Sequence, residues 1–332
     1  MASPSADIEQ GSDEQLMAKD PSNRRLRLVI NGEGGAAQAK GGADRLKAEL
    51  ERLSREAALD CTVVMTDGPS MPGTLKEALT AARAGTLDAV VVGGGDGTIA
   101  AAAGIFADTG VPLGALPLGT VNHFAKDVGM PTSLDDALRA LAMAEIAKVD
   151  LGEVNGRVFT NNAVLGVHPF MVAERDKRQR SHGWSKWPAM GWAFLKLLKH
   201  LPSRRLTLHV DGTSRNLRTP LVFVGVNDYR IESMDLRRSE GMANGNLWLL
   251  IARHDRPSAF VGFALRALLT GFDWEGDFEV VRARELKVEC RRHHLPVTYN
   301  GELERLEMPL EFKLRPLALT ILKPLPAPAG ER

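Results

Sequence analysis

Residues Ala89–Thr98 read AVVVGGGDGT, and this stretch decides the fold. An apolar run of strand length ends in glycines, whose N–H groups can converge on an anion because glycine adopts backbone conformations closed to other residues. A helix that begins near Thr98 would point its positive end at the same anion. Asp96 lies inside this turn, where a carboxylate opposes phosphate, so we expect Asp96 to handle a metal ion or a proton.

The segments on both sides of this stretch alternate between strand-like and helix-like patterns. Strands are predicted at Leu26–Asn31, Cys61–Thr66, Asp88–Val92 and Pro112–Leu116. This order predicts an α/β domain with a mostly parallel sheet, whose ligands lie beyond the carboxyl ends of the strands. Three glycine-bearing turns follow such ends, at Asn31–Gly35, Gly93–Thr98 and Pro117–Asn122. Ser133, with Asp136 three residues later, predicts the start of the closing helix.

The pattern changes after Val149. Asn155-Gly156 between two strand-like segments predicts a hairpin with a type I′ turn. Further strands are predicted at Leu206–Val210, Leu221–Val226, Leu247–Ala252, Leu286–Glu289, Met308–Phe312 and Leu317–Leu322, and apolar helices at Pro188–Leu201 and Ser258–Thr270. We therefore predict a disordered tail at 1–25, an α/β domain at 26–148, a mainly antiparallel β-sandwich at 149–324 whose last strand is able to pack back on the first domain, and a tail at 325–332.

Composition narrows the class of protein. The 332 residues exceed one ordinary core, and 44% hydrophobic and 25% charged residues are typical of a globular protein. A net charge of +1 gives no general reason to expect nucleic acid as a partner. Cys61 and Cys290 have no disulfide or zinc spacing, which indicates a reducing compartment. With no signal peptide and no run of about 18 apolar residues, we expect a cytoplasmic protein, with peripheral membrane contact left open.

Two glycine motifs have alternative interpretations. Residues 31–37, NGEGGAA, fit the pattern G-x-G-x-x-A of dinucleotide-binding dehydrogenases and fit equally a plain strand-to-helix turn. Gly93–Thr98 could serve only close packing of helix on strand. The sequence has no G-x-x-x-x-G-K-S/T, which excludes a P-loop NTPase.

Six segments in order carry a resemblance to a family. They read GGGDGT, PLGTVNHFAKDVGMP, DLGEVNGRVFTNNAVLG, LVFVGVNDY, GNLWLLIARH and YNGELERLEMPLEF. This order resembles the bacterial diacylglycerol kinase-like lipid kinases, relatives of sphingosine kinases and, more distantly, NAD kinases, from about Leu26 to Pro324. The resemblance implies that the first domain binds ATP with Mg²⁺ and that the β-sandwich carries the acceptor site. It implies a nucleotide site formed by Asn31, Gly32, Glu33, Gly34, Gly35, Thr66, Gly93, Gly94, Gly95, Asp96, Gly97, Thr98, Ile99, Gly119, Thr120 and Asn122.

The chain departs from the family at positions that bear on catalysis. Asn300-Gly301-Glu302 stands where the family has Asp-Gly-Glu, and an asparagine cannot accept a proton at neutral pH. Glu302 is therefore the first candidate for the general base, and Asp96 is the second or acts on the Mg²⁺–phosphate complex as a metal ligand. Asn244 replaces an acid of the family's structural Mg²⁺ loop, so that second metal site is in doubt. Glu33 stands in a loop that usually offers a serine.

A basic segment at 174–205 contains nine Lys or Arg against two acids, with three tryptophans. Such a segment suits an anionic membrane surface, although its helix at Pro188–Leu201 could instead pack on the protein's own core. We predict an ATP-dependent kinase that phosphorylates a lipid hydroxyl, diacylglycerol-like or sphingoid-like. Two alternatives stay open: a catalytically weakened nucleotide- or lipid-binding protein of the same fold, and NAD kinase-like phosphorylation of a nucleotide. The oligomeric state is undetermined.

Overall fold

A computed structural model describes residues 23–167, 169–170, 203–226, 229–232, 235–238, 245–253 and 274–325. It divides the chain into two compact units: the first contains Met1–Val149 and Leu317–Arg332, and the second contains Asp150–Pro316. The helices predicted at Pro188–Leu201 and Ser258–Thr270 lie outside the described residues, as do Asn244 and residues 174–202 of the basic segment. The same holds for residues 1–22 of the predicted tail and for 326–332.

The first unit is built on a parallel sheet. Its elements are β1 (Arg25–Asn31), α1 (Gly35–Ala39), α2 (Ala43–Glu56), β2 (Asp60–Thr66), α3 (Met71–Arg83), β3 (Ala89–Gly94), α4 (Asp96–Phe106), β4 (Leu113–Pro117), α5 (His123–Asp127), α6 (Leu134–Ala142), the start of β5 (Glu145–Val154) and the end of β18 (Leu310–Lys323). The strand order is β2-β1-β3-β4-β18, and every neighbouring pair in it is parallel. The predicted α/β architecture is confirmed.

The hydrophobic pattern explains this sheet. All six residues of β3 are buried, as expected of a central strand with both faces covered. Helix α4 packs against β3 through small side chains, with Ala100, Ala102 and Ala103 buried beside Ile99 and Phe106. The predicted start of α6 is also correct, because Ser133 Oγ accepts a hydrogen bond from the N–H of Asp136 at 3.2 Å.

The second unit consists of antiparallel strands. Its elements are the end of β5, β6 (Arg157–Phe159), β7 (Asn162–Gly166), β8 (Arg204–Val210), β9 (Thr213–Thr219), β10 (Leu221–Val226), β11 (Tyr229–Glu232), β12 (Asp235–Arg238), β13 (Leu247–Ala252), α7 (Trp274–Asp277), β14 (Phe278–Ala283), β15 (Glu285–Glu289), β16 (His294–Tyr299), β17 (Glu302–Glu307) and the start of β18. One sheet has the order β14-β13-β10-β7-β16-β17, and the strands β18-β15-β8-β9 form the facing layer. Side chains from both layers share one core that includes Leu208, Val224, Leu249, Val288 and Phe312. This is the predicted antiparallel sandwich.

The C-terminal strand differs from the sequence prediction. Met308–Phe312 and Leu317–Leu322 were expected to be separate strands, whereas β18 runs without interruption from Leu310 to Lys323. Polar residues and a proline lie between the two apolar runs, Met308–Phe312 and Leu317–Leu322. The chain instead accommodates them with a local kink, since Leu317 has a φ of 52° within the strand.

Three hairpins of the second unit share one kind of turn. An Asn or Asp at positive φ is followed by a glycine at positive φ, as a type I′ turn requires, at 155–156, 211–212 and 300–301. The side chain of the first residue then bonds to the backbone of another strand. Asn155 Nδ2 donates to Glu307 O at 2.8 Å, and Asn155 Oδ1 accepts from Glu311 N at 2.7 Å. Asp211 Oδ1 accepts from the N–H of Arg284 at 3.0 Å. Each turn therefore closes a hairpin and ties it to a neighbour.

The cap of α6 gives a first test of the fold. We expect Ser133→Ala to lower the free energy of unfolding by about 1 kcal/mol, because the N–H of Asp136 loses its acceptor. Thr132→Ala removes a neighbouring exposed hydroxyl and is the matched control, with an expected change within about 0.5 kcal/mol. Equilibrium unfolding in urea measures both, and equal effects for the two variants would contradict the capping assignment.

Candidate phosphate-binding site

Four predicted site segments meet at the carboxyl edge of the parallel sheet. The strands β2, β1, β3 and β4 are neighbours in that order, and their last residues are Thr66, Asn31, Gly94 and Pro117. Asn31 is in register with Thr66, and Gly94 is in register with Pro117. Because the strands are parallel, the turns that follow them emerge side by side. The first unit thus brings together the predicted nucleotide-site residues at 31–35, 66, 93–99 and 119–122.

In the central turn, Gly93 and Gly94 provide space, and none of the turn's glycines serves an unusual backbone angle. None of Gly93–Gly97 has a positive φ, which corrects the expectation drawn from glycine's conformational freedom. A Cβ on Gly93 would lie 2.5 Å from Ile30 Cδ1, and a Cβ on Gly94 would lie 2.6 Å from Thr98 Cβ. Close packing is therefore one real function of these glycines, as the alternative interpretation held.

The turn after β4 packs directly on the glycine turn. A Cβ on Gly119 would lie 2.5 Å from the Cα of Gly95. The backbone joins the same two turns, since the N–H of Leu118 donates to Gly94 O at 3.2 Å. Asn122 stabilises this geometry from within, because its Oδ1 accepts from Gly119 N at 2.8 Å and its Nδ2 donates to Gly119 O at 2.8 Å. Asn122, at a φ of 56° and 7% exposed, is thus committed to shaping the turn.

Asp96 is the first residue of α4 and faces the start of a second helix. Its Oδ1 accepts a long hydrogen bond, 3.4 Å, from the N–H of Phe124 in α5. No side chain caps α4 at Gly95, so the first N–H groups of the helix are available to an anion. The described part of the chain contains no cluster of three or more His, Cys, Asp or Glu side chains that could hold a metal ion. A metal at Asp96 would thus need most of its ligands from phosphate and water.

The first loop is folded by its own asparagine. Asn31 Oδ1 accepts from Glu33 N at 3.0 Å, which bends the chain directly after β1. The N–H of Gly32 donates to Thr66 O at 2.8 Å, so the loop is joined to the end of β2. Glu33 is exposed, and a Cβ on Gly35 would meet no atom within 4 Å. This side of the edge is therefore open.

Glu302, the predicted base, belongs to the second unit. It is the first residue of β17, is exposed, and follows the Asn300-Gly301 turn. Asn300 Oδ1 accepts from Thr160 N at 3.1 Å, and Asn300 Nδ2 donates to Val158 O at 3.1 Å. An aspartate could keep the first bond but not the second, because an ionised carboxylate only accepts. The two backbone bonds therefore explain why position 300 carries an amide in place of a carboxylate.

A second set of side chains, for which the sequence contains no signal, holds the base of the same hairpin. The Tyr299 hydroxyl contacts Arg157 Nη1 at 3.0 Å and donates to Glu304 Oε1 at 2.5 Å. Arg157 also forms an ion pair with Glu304. Burial raises the pKa of Tyr299 above its ordinary value, although the charge of Arg157 opposes the shift. The tyrosine thus stays protonated and fixes the strand that leads to Glu302.

The fold of this chain is shared with a solved diacylglycerol kinase, and a family model matches its first unit. A diacylglycerol kinase from Bacillus anthracis has the same fold, with a TM-score of 0.67 at 20% identity over 92% of this chain and 98% of that one. The diacylglycerol kinase catalytic domain model matches residues 25–154. Among the described residues, no helix has the length and apolar character needed to cross a membrane.

Curated relatives identify the family. A probable lipid kinase YegS-like from Pseudomonas putida is 32% identical over 244 residues, which cover 72% of this chain and 78% of that protein. A diacylglycerol kinase from Mycobacterium tuberculosis is 27% identical over 317 residues, covering 90% and 94%. The chain belongs to the bacterial diacylglycerol kinase-like family of lipid kinases, as its motifs suggested.

The contact between the two turns gives a prediction for Gly119. We expect Gly119→Ala to lower the free energy of unfolding by about 1–3 kcal/mol, since the added methyl group forces the turns apart. Gly73→Ala is the matched control: Gly73 lies in α3 with no atom within 4 Å of its would-be Cβ, so alanine should be neutral or stabilising there. Thermal and urea unfolding compare the two. A Gly119 variant as stable as the control would disprove the close approach.

Asn300 gives a second prediction. We expect Asn300→Asp to lower the free energy of unfolding by about 1–3 kcal/mol at neutral pH, because Val158 O loses its donor and faces a carboxylate. That repulsion raises the pKa of the new carboxyl in the folded state, so the loss should shrink as the pH falls and the acid becomes a donor.

The control for Asn300 is Asn216→Asp. Asn216 Oδ1 only accepts, from the Thr207 hydroxyl at 2.7 Å, and a carboxylate preserves that bond. Urea unfolding across acidic and neutral pH tests the pair of variants. If Asn300→Asp were as stable as the parent at neutral pH, the bond to Val158 would contribute nothing.

Proposed function

We propose that this chain is an ATP-dependent kinase that transfers the γ-phosphate to the hydroxyl of a lipid, diacylglycerol-like or sphingoid-like. The observation that carries the proposal is the carboxyl edge of the parallel sheet. There the uncapped start of α4, which follows β3, lies beside the ends of β1, β2 and β4. Membership of a lipid kinase family supports the reaction class. The name of the Mycobacterium tuberculosis relative favours a diacylglycerol-like acceptor.

The donor residues fit a nucleotide in their chemistry. Small side chains leave the backbone of Gly95–Thr98 open to close approach, and helical N–H groups with no side-chain cap suit phosphate oxygens. The first loop, around Gly34 and Gly35, and Thr66 would contact the rest of the nucleotide. Glu33 is exposed and so has room to turn away from phosphate.

A metal requires little from the protein in this proposal. Mg²⁺ keeps waters and phosphate oxygens as ligands and often takes only one or two carboxylates, so Asp96 alone fits the donor set. When bound, Mg²⁺ would neutralise charge on the transferred phosphoryl group. Asp96 already accepts from the N–H of Phe124, which holds its carboxylate at the edge of the sheet.

Glu302 is our choice for the general base. It is an exposed carboxylate, which at neutral pH can accept a proton from an acceptor hydroxyl. The type I′ turn before it and the Tyr299–Glu304–Arg157 contacts after and beside it limit its movement. Asn300, which motivated the alternative of a catalytically weakened binder, is accounted for by its two backbone bonds.

The test uses the purified chain with Mg²⁺, γ-labelled ATP and dispersed diacylglycerol or sphingosine. We expect label in the extracted lipid, and we expect Glu302→Gln and Asp96→Asn each to reduce the rate by at least a hundredfold, since general-base catalysis alone contributes about 10²–10⁴-fold. Asp96→Asn keeps an acceptor for Phe124, so its loss of rate would report chemistry and not folding.

Glu307→Gln and Asp135→Asn are the controls, because each removes a carboxylate from the same kind of element without touching the proposed machinery: Glu307 is exposed, and the Asp135 side chain is 44% exposed and pairs only with Arg139 in its own helix. Both should keep full activity. Labelling of NAD in place of lipid would favour the NAD kinase-like alternative. ATP binding with no transfer to any acceptor would favour the binder.

A further inference from the structure

The second unit contains a cavity at one end of its β-sandwich. Strand β7 pairs with β16 only from Ala163 to Leu165, and the pairing stops beside Pro296, which has no N–H to donate. Leu165 and Pro296 both line the cavity, whose volume is about 310 Å³. This volume lies near the lower end of the range for small-molecule pockets, about 300–1,000 Å³, so the cavity has room for one hydrocarbon chain.

The walls of the cavity are largely apolar and are joined through the backbone. Leu206, Val222 and Leu295, which are buried members of the sandwich core, line it. The end of β7 is bonded to the connection between β9 and β10, because the N–H of Val167 donates to Pro220 O at 2.8 Å. A preformed apolar wall of this kind favours a ligand with a hydrocarbon chain.

An arginine of β8 faces the same cavity. Side chains alternate between the two faces of a strand, so Arg204 lies on the same face as Leu206 and Leu208, which belong to the core. Arg204 is half-buried and lines the cavity. Burial lowers the pKa of its guanidinium, and the charge of Arg292 lowers that pKa further. A cation that leaves water beside a second cation is costly unless an anion compensates it.

No acid in the described part of the chain compensates Arg204. No carboxylate there forms a hydrogen bond or an ion pair with its guanidinium, and none contributes to the shift of its pKa. Glu304, which also lines the cavity, is already bound to the Tyr299 hydroxyl and to Arg157. The hydroxyl of Thr219, another polar group of the lining, lies 2.9 Å from two backbone carbonyl oxygens. The cavity is thus apolar with an uncompensated positive charge.

We propose that this cavity binds a single-chain lipid with an anionic head group, its hydrocarbon chain against the apolar walls and its head group on Arg204. Arg305, an exposed residue of the lining, adds a second cation. A guanidinium can bind a carboxylate or a phosphate through two parallel hydrogen bonds, so the ligand is a fatty acid or a monoacyl phosphate. The acceptors of the proposed kinase are neutral or, for a sphingoid base, cationic. The anionic lipid is therefore a separate ligand, and its binding does not depend on the proposed reaction.

Isothermal titration calorimetry of the full chain, without ATP or Mg²⁺, tests the head-group preference. Decanoate and decyl phosphate, below their micelle concentrations, should both bind. Decanol and decylamine should bind at least about tenfold more weakly, because they have no negative charge for the guanidinium. Tighter binding of decanoate would identify a fatty acid as the ligand, and tighter binding of decyl phosphate a monoacyl phosphate. Equal binding of all four probes, or no binding of either anion, would overturn the proposal.

The chain length of the probe tests the apolar part of the site. From hexanoate to decanoate, the affinity should rise about fourfold for each added methylene group, because each one is buried in the cavity. Longer chains should gain nothing more once the cavity is full. An affinity independent of chain length would mean that the head group binds alone, which contradicts binding in the cavity.

Variants of neighbouring residues test the arginine. Arg204→Gln should weaken the binding of decanoate by about ten- to a hundredfold, since it removes a charge-assisted hydrogen bond. Arg204→Lys keeps the charge but not the paired geometry, so its loss should be smaller. Arg205→Gln is the matched control, because Arg205 is exposed, follows in the same strand and lies on the opposite face. Equal losses for the glutamine variants of positions 204 and 205 would refute the assignment.

Thermal unfolding separates binding from folding. Without ligand, Arg204→Gln should be at least as stable as the wild type, because it removes a half-buried charge that lacks a carboxylate. Decanoate should raise the melting temperature of the wild type and of Arg205→Gln, and should raise that of Arg204→Gln much less. If the ligand-free Arg204→Gln variant melted below the wild type, its guanidinium would already be compensated within the protein, and the proposal would fail.

The kinase and the cavity fail separately. A wild-type protein that binds decanoate or decyl phosphate yet phosphorylates no lipid would refute the kinase and leave the cavity site standing. A wild-type protein that phosphorylates lipid yet binds neither anionic chain would refute the cavity site alone.

Discussion

The close approach of Gly119 to Gly95 is the constraint on which the candidate site depends. A side chain at Gly119 would collide with the Cα of Gly95, so the turns after β3 and β4 lie together only because glycine lacks a Cβ. That contact sets the start of α4 beside the start of α5 and allows Asp96 to accept from Phe124. The positive ends of two helices and the carboxylate between them are thus consequences of one steric fact.

The sequence predicted what is determined locally. Uniformly apolar β3 indicated a covered parallel strand, Ser133 and Asp136 marked a helix start, and Asn155-Gly156 marked a hairpin. It could not predict what depends on distant partners. The sequence indicated backbone freedom as the role of the glycines, because the side chain of Ile30, which a Cβ at Gly93 would meet at 2.5 Å, comes from another strand. The bonds of Asn300 were equally invisible, since Val158 is 142 residues away.

Asn300 illustrates how a departure from a family motif can mislead. Read along the chain, an amide in place of a carboxylate suggests lost chemistry, because proton transfer needs an acid or base. In the folded second unit the same amide both donates and accepts, as Asn155 does in another hairpin. The asparagine in place of the family's aspartate therefore reflects how the β-sandwich bonds its turns to neighbouring strands. Turn chemistry and catalytic chemistry compete for the same position, and only the three-dimensional contacts separate them.

The return of β18 to the first unit has a consequence for how this chain is made. Leu319, Ile321 and Leu322 are buried there, and Ile321 pairs with Leu113 of β4. During synthesis these residues emerge only after the whole second unit. Until then β4 is an open sheet edge, the kind of surface on which chains aggregate. The segment that matches the catalytic domain model, 25–154, lacks this strand. The nascent first unit thus depends on the timely folding of a 167-residue insertion, Asp150–Pro316, before its own sheet can close.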